Sequence, residues 1–126
     1  MELTLFATGE VTSPNFPNYY PNNIEKTVQI KVEQGMIISL QFTAFYIEAE
    51  YEEYDYYDYD SNIGCPDHLK ITDGDGTTLM EKSCGDSLPP NIMSTSNIVK
   101  LVFSTNDHDG GNSGWNVSWS AVTPGV

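Results

Sequence analysis

The 126-residue chain contains no arginine and only five lysines, against eighteen aspartates and glutamates, for a net charge of −13. This shortage of bases argues against nucleic acid and anionic membrane surfaces as partners, because both need clustered Lys and Arg. It points instead to cationic partners, either basic proteins or metal ions. No apolar run approaches the ~20 residues of a membrane span. The opening Met1-Glu2-Leu3-Thr4 has neither a basic region nor a long apolar segment, so it does not read as a signal peptide. It is expected to be the start of an excised module, with Met1 an added start codon. No internal repeat, linker or second domain is visible. The length suits one domain with one core over residues 1–126.

Cysteine is scarce as well. Cys65 and Cys84 are the only two, and no CxxC pair exists. Two isolated cysteines and two histidines make a poor zinc site. One disulfide closing a loop of ~20 residues would add about 3 kcal/mol in the chain-entropy model and would imply an oxidising compartment. Two buried free thiols in a cytosolic protein are the alternative reading. Catalytic signatures are missing too. His68 and His108 each stand beside an Asp, but no nucleophile motif such as GxSxG occurs. Paired carboxylates could suggest a glycosidase, but the chain is small and shows no sign of a deep cleft. No enzyme activity is expected.

What the sequence does contain is strand periodicity. Val28, Ile30 and Val32 alternate with Thr27, Gln29 and Lys31. Ile38, Leu40 and Phe42 alternate with Ser39, Gln41 and Thr43. Val99, Leu101 and Phe103 alternate with Lys100 and Val102, and Trp115, Val117 and Trp119 with Asn116, Ser118 and Ser120. Leu69 and Ile71 mark a short run, and Leu3 and Leu5 a further strand. Turn clusters lie between these runs at residues 13–23, 73–76 and 109–114. Short strands with turn signals predict an all-β, two-sheet antiparallel β-sandwich. Within it, His68 should face solvent opposite Leu69, and D73-G-D-G76 should form a tight turn. N116-V-S118 is an N-glycosylation sequon, and Asn116 should face away from Trp115 and Val117.

The acids concentrate in one stretch. E48-A-E-Y-E-E-Y-D-Y-Y-D-Y-D60 holds seven carboxylates and five tyrosines in thirteen residues. Three readings are open for it. It can be a solvated loop, since dense like charge resists compaction. It can be a local calcium loop, as Asp58, Asp60 and Asn62 follow a D-x-D-x-N pattern, although the Gly comes one position late at Gly64 and no Glu occupies position twelve. It can be a binding loop for a basic partner, in which tyrosines offer flat apolar area and acids steer charge. Acidic neighbours also suit tyrosine sulfation.

Several of these pieces together resemble a known family. G9-E-V-T-S-P-N-F-P17 followed by Y20-P-N looks like the opening of a CUB domain. L40-Q-F-T-A-F-Y-I-E48 is similar to its LxFxxFxLE strand, and C65-P-D-H-L69 to its CxDxL segment. C84-G85, Pro89 and I92-M-S-T-S-N97 resemble its CG…P…IxSxxN run, and Phe103 with G114-W115 its closing elements. The resemblance covers about residues 9–122 in family order. It implies an extracellular, jelly-roll-like two-sheet sandwich that binds partners without catalysis, with Cys65 paired to Cys84. There is one departure. Most CUB domains carry a further Cys pair, here at the positions of Phe6 and Lys26. The first CUB module of complement-type proteases also lacks it and carries an acidic segment similar to N23-I-E-K26, which favours the calcium-binding subgroup.

In that subgroup the resemblance implies Ca2+ ligands at Glu48 and Asp67, with a third acid near residues 106–109. Counting from Phe103 the third ligand falls on Asn106, and counting back from Gly114-Trp115 it falls on Asp107. The retained charge favours Asp107, with Asp109 as a further ligand and His108 flanking the loop. The match of Tyr20 implies a tyrosine whose hydroxyl supports the cluster. Calcium prefers hard oxygen donors of this kind, and a divalent ion relieves the repulsion among converging carboxylates. Against the resemblance, Tyr51 to Asn62 reads as an insertion. The expected function is a calcium-dependent interaction module of a secreted multidomain protein. Tyr20, Glu48 and Asp67 would meet Lys or Arg groups of an extracellular partner or of other domains of the same chain. An acidic matrix or mineral-associated calcium protein and a carbohydrate-binding module are the alternatives.

Overall fold

The computed structural model describes residues 2–3, 8–49, 65–106 and 112–123. These residues form nine strands: β1 (Glu2–Leu3), β2 (Thr8–Thr12), β3 (Glu25–Lys31), β4 (Ile37–Tyr46), β5 (His68–Asp73), β6 (Thr78–Ser83), β7 (Ile92–Met93), β8 (Ile98–Ser104) and β9 (Gly114–Val122). One sheet runs β1-β3-β8-β5-β6 and the other β2-β9-β4-β7. Neighbours are antiparallel except for β1, which pairs parallel to β3.

The alternating runs explain the core. Register sets Val28 opposite Leu101, Ile30 opposite Val99, and Phe103 opposite Leu69. All six are buried, and the inward residues of β4 and β9 complete one cluster with them. Phe103 meets Trp115 edge-on across the two sheets, with ring centroids 5.8 Å apart. In β4 the period breaks. Ile38, Leu40 and Phe42 point inward, and then a bulge at Thr43 shifts the register between Phe42 and Ala44. After the bulge Phe45 and Ile47 are the buried residues, while Tyr46 is exposed. One extra residue, so that two on β4 oppose one on β9, reverses the facing of every side chain downstream. The bulge therefore sets how the chain delivers Glu48 to the end of the sheet.

Three strands lack an alternating apolar pattern, namely β2, β6 and β7. Each contributes one buried hydrophobic residue to the core, Val11, Met80 and Ile92 respectively. In β2 the second device is Gly9, which lies against Trp119. A Cβ there would stand 2.7 Å from indole atoms, so only glycine lets β2 close onto β9.

Asp73 at the end of β5 fastens the opposite end of the sandwich. The 73–76 segment is a tight turn, with Gly76 N donating to Asp73 O at 3.0 Å. The buried Asp73 carboxylate accepts from Gly74 N and Ser96 Oγ on Oδ1, and from Thr95 N and Oγ1 on Oδ2. Burial pushes this carboxyl upward, but the four hydrogen bonds outweigh it and hold it at about 2. A disulfide joins Cys65 to Cys84, with Cα atoms 5.5 Å apart, and ties the entry of β5 to the exit of β6.

Candidate functional site

Five segments converge at one end of the sandwich. The register puts Tyr46 at the end of β4 opposite Gly114 at the start of β9. It also puts Glu25, Ser104 and His68 side by side on β3, β8 and β5. Residues 13–24, 47–48, 65–67, 105–106 and 112–113 are thereby gathered together.

Tyr20 is the hub of this end. Its ring is 6% exposed and packs edge-on against Phe103, centroids 5.0 Å apart. Its hydroxyl donates to Asp67 Oδ2 at 2.7 Å and accepts from Glu48 N at 3.0 Å. Asp67 is fully buried, and its Oδ1 accepts from Asn106 N at 2.8 Å. One tyrosine thus links Glu48, Asp67 and, through Asp67, the 105–106 segment. Burial pushes the Tyr20 phenol far above its ordinary range. The Glu48 N–H opposes that shift and the nearby Asp67 adds to it. The hydroxyl therefore stays protonated and remains a donor to the carboxylate.

Backbone contacts hold the hub in place. Tyr20 N donates to Asn112 O at 3.1 Å, and Asn23 N to Asn106 O at 2.8 Å. Thr105 Oγ1 accepts from Ile24 N and donates to Pro21 O, both at 3.0 Å. Ile47 and Gly85 exchange two backbone hydrogen bonds, which moors the residue before Glu48 to the one after Cys84. Gly114 has φ +95°, and a Cβ there would overlap Ser13 Oγ. Ser13 is buried and accepts from Trp115 N at 3.0 Å. Sequence reasoning did not assign Ser13, Thr105 or Gly114 to this site. Ser13 and Gly114 do stand inside the CUB-like segments G9-E-V-T-S-P-N-F-P17 and G114-W115.

Of the sequence-predicted residues, Tyr20, Glu48 and Asp67 are brought together, with the Asn106 main chain beside them. Asp107 and Asp109, and with them His108 and the Tyr51–Asn62 segment, lie outside the described residues. Among the described residues no group of three or more His, Cys, Asp or Glu is assembled. Burial, with Lys82 nearby, lowers the His68 imidazole below its usual range. His68 is half-buried rather than freely solvated, paired with Ser104 of β8. Asn116 sits on the outward face of β9 between Thr12 and Ala44, also half-buried, and its side-chain oxygen is enclosed by the sheet surface.

This layout agrees with what the chain resembles. The CUB domain family matches residues 4–119. The chain belongs to the CUB domain family. It is 32% identical to rat (Rattus norvegicus) cubilin over 122 residues, which are 96% of this chain and 3% of cubilin. It is 33% identical to human (Homo sapiens) mannan-binding lectin serine protease 1 over 116 residues, 91% of this chain and 15% of the protease. The chain therefore spans only a small part of these CUB-containing relatives. A crystal structure of the MASP-1 CUB2 domain bound to Ca2+ superposes with a TM-score of 0.77 at 31% identity. It covers 94% of this chain and 96% of that one.

Proposed function

We propose that the chain is a single, non-catalytic CUB module of a secreted multidomain protein. Its acidic, calcium-ordered end captures a Lys or Arg side chain of a partner protein. The observation that carries this reading is the Asp67–Tyr20–Glu48 arrangement. A fully buried carboxylate and the start of a Glu-bearing segment share one protonated tyrosine hydroxyl.

The residues fit a hard divalent cation. Each Asp67 oxygen accepts one hydrogen bond, and a carboxylate oxygen can accept a further donor or ligate a metal. Carboxylate and carbonyl oxygens suit calcium rather than soft metals. Glu48 and Asp67 would hold the ion with Asp107 and Asp109, and Asn106 could supply an oxygen in place of Asp107. Bound calcium would neutralise carboxylates that otherwise repel one another. The CUB neighbour crystallised with Ca2+ supports calcium as the ion.

Within the chain, Tyr20 acts from behind, holding Asp67 and the Glu48 main chain. Glu48, half-buried with one carboxylate oxygen enclosed, is then the residue that meets the partner ammonium, in a charge-assisted hydrogen bond. The disulfide supports an oxidising, extracellular setting. Asn116 remains a proposed glycosylation site.

Binding of a lysine-rich peptide, with calcium and with chelator, tests the reading. Nonspecific attraction to a chain of charge −13 should fall when calcium neutralises acids. The proposal expects the opposite, a rise in affinity with calcium that Glu48→Gln abolishes. Calcium-weakened binding, equal in parent and variant, would refute it.

A further inference from the structure

The lysines of this chain are not scattered. Lys26 and Lys31 lie on β3, Lys70 on β5, Lys82 on β6 and Lys100 on β8, so every base except histidine belongs to one sheet. Strand alternation turns most of them away from the core. Val28 and Ile30 point inward on β3, Leu69 and Ile71 on β5, and Val99 and Leu101 on β8, which leaves Lys31, Lys70 and Lys100 outward. Register sets Lys100 opposite both Gln29 and Thr72, one diagonal step from Lys31 and from Lys70. Long side chains act together at that spacing. Lys82 lies in the irregular stretch of β6 that faces Lys70.

Two features show what such a face suits. Ile98 and Val102 point outward among the lysines, paired with Lys31 and Lys70 and half-buried. Aliphatic rows between ammonium groups fit a protein surface. Arginine forks, which grip sulfate or phosphate through paired hydrogen bonds, are absent. The outward face of the other sheet is different in kind. It holds a shallow groove of about 520 Å³ lined mainly by Ser, Thr and Gln residues, with Glu10, Gly9 and Trp119 and no lysine. The lysine-bearing sheet also carries exposed Glu25 on β3 and Glu81 on β6, so its bases outnumber its acids on this flank without being alone there.

We propose that the lysine flank is the docking surface for the acidic loop end of a second copy of this chain. This rests on the reading that the acidic end takes lysine, and it names the donor of that lysine. End against flank is a heterologous contact. Each pairing leaves one unmet end and one unmet flank, so copies add in a row rather than closing as a symmetric pair. Exposed ion pairs are individually weak, and the contact gains most where copies are held near one another.

Sedimentation velocity of the whole chain in calcium tests this. Association should grow with concentration and fall as salt screens the pairs. Replacing Lys31, Lys70, Lys82 and Lys100 together by Ser should weaken it about thirtyfold, with the circular dichroism spectrum and melting temperature retained. A mixing experiment adds direction. The quadruple variant keeps its acidic end, so it should bind immobilised parent but not immobilised quadruple variant. Self-association of the variant equal to that of the parent overturns the proposal. So does a parent that stays monomeric while still taking a lysine peptide in calcium, and that result leaves the function proposed above standing.

Discussion

The Tyr20 hydroxyl serves two partners at once, giving its proton to Asp67 and receiving the Glu48 N–H. Tyr20→Phe keeps the ring against Phe103 and removes both bonds. It leaves a buried carboxylate oxygen and a main-chain N–H short of a partner, so a loss of about 1–3 kcal/mol is expected in chemical denaturation. A stability equal to the parent would mean that water replaces the hydroxyl at no cost. Asp73 makes a pH prediction. Its folded pKa is depressed, to about 2 against the usual 3.8. Between those values the unfolded chain binds more protons, so stability falls as pH falls. The contribution, roughly 2 kcal/mol, is fully present above 3.8 and lost as pH drops through about 2. Asp73→Asn should be less stable at neutral pH and should lack that part of the acid dependence in melts taken across the window. Parallel pH profiles for the two proteins would contradict the assignment.

At the scale of elements, the strands with three alternating apolar residues were legible in the sequence: β3, β4, β8 and β9, with β5 from Leu69 and Ile71. β2, β6 and β7 were not. Val11, Met80 and Ile92 each stand alone, and a single buried residue has no period. These strands exist because a neighbour offers a free edge, which is information from the rest of the fold. The β4 bulge was hidden for a related reason. Strict alternation from Ile38 would carry Tyr46 inward, whereas the shift at Thr43 buries Phe45 and Ile47 instead. The CUB motif ending in Glu48 registered this segment correctly where periodicity alone would not. In the site, Tyr20, Glu48 and Asp67 were named from that resemblance, but Ser13 and Thr105 act through hydroxyl bonds to distant main chain and Gly114 through its backbone conformation, which no composition reveals. The disulfide holds the Glu48 segment through the Ile47–Gly85 bonds. Replacing Cys65 and Cys84 by Ser should cost about 3 kcal/mol, read by denaturant unfolding, and should weaken calcium binding. An unchanged calcium affinity in the folded variant would show that the Gly85 contact suffices alone.

At the scale of the whole molecule, the lysines and the candidate calcium ligands occupy different places. The two sheets bury an apolar core and the bases lie on the outside of one of them. Glu48 and Asp67 belong to the end where β4 stops and β5 starts. A chain of charge −13 opposes its own compaction at low ionic strength, and a cation bound only by the native state offsets this by mass action. Calorimetric titration with calcium bears most directly on the central claim. One saturable site is expected in the parent, abolished by Asp67→Asn and strongly weakened by Glu48→Gln, with both variants folded by circular dichroism. A set of many weak sites, or a single site untouched by either substitution, would contradict it.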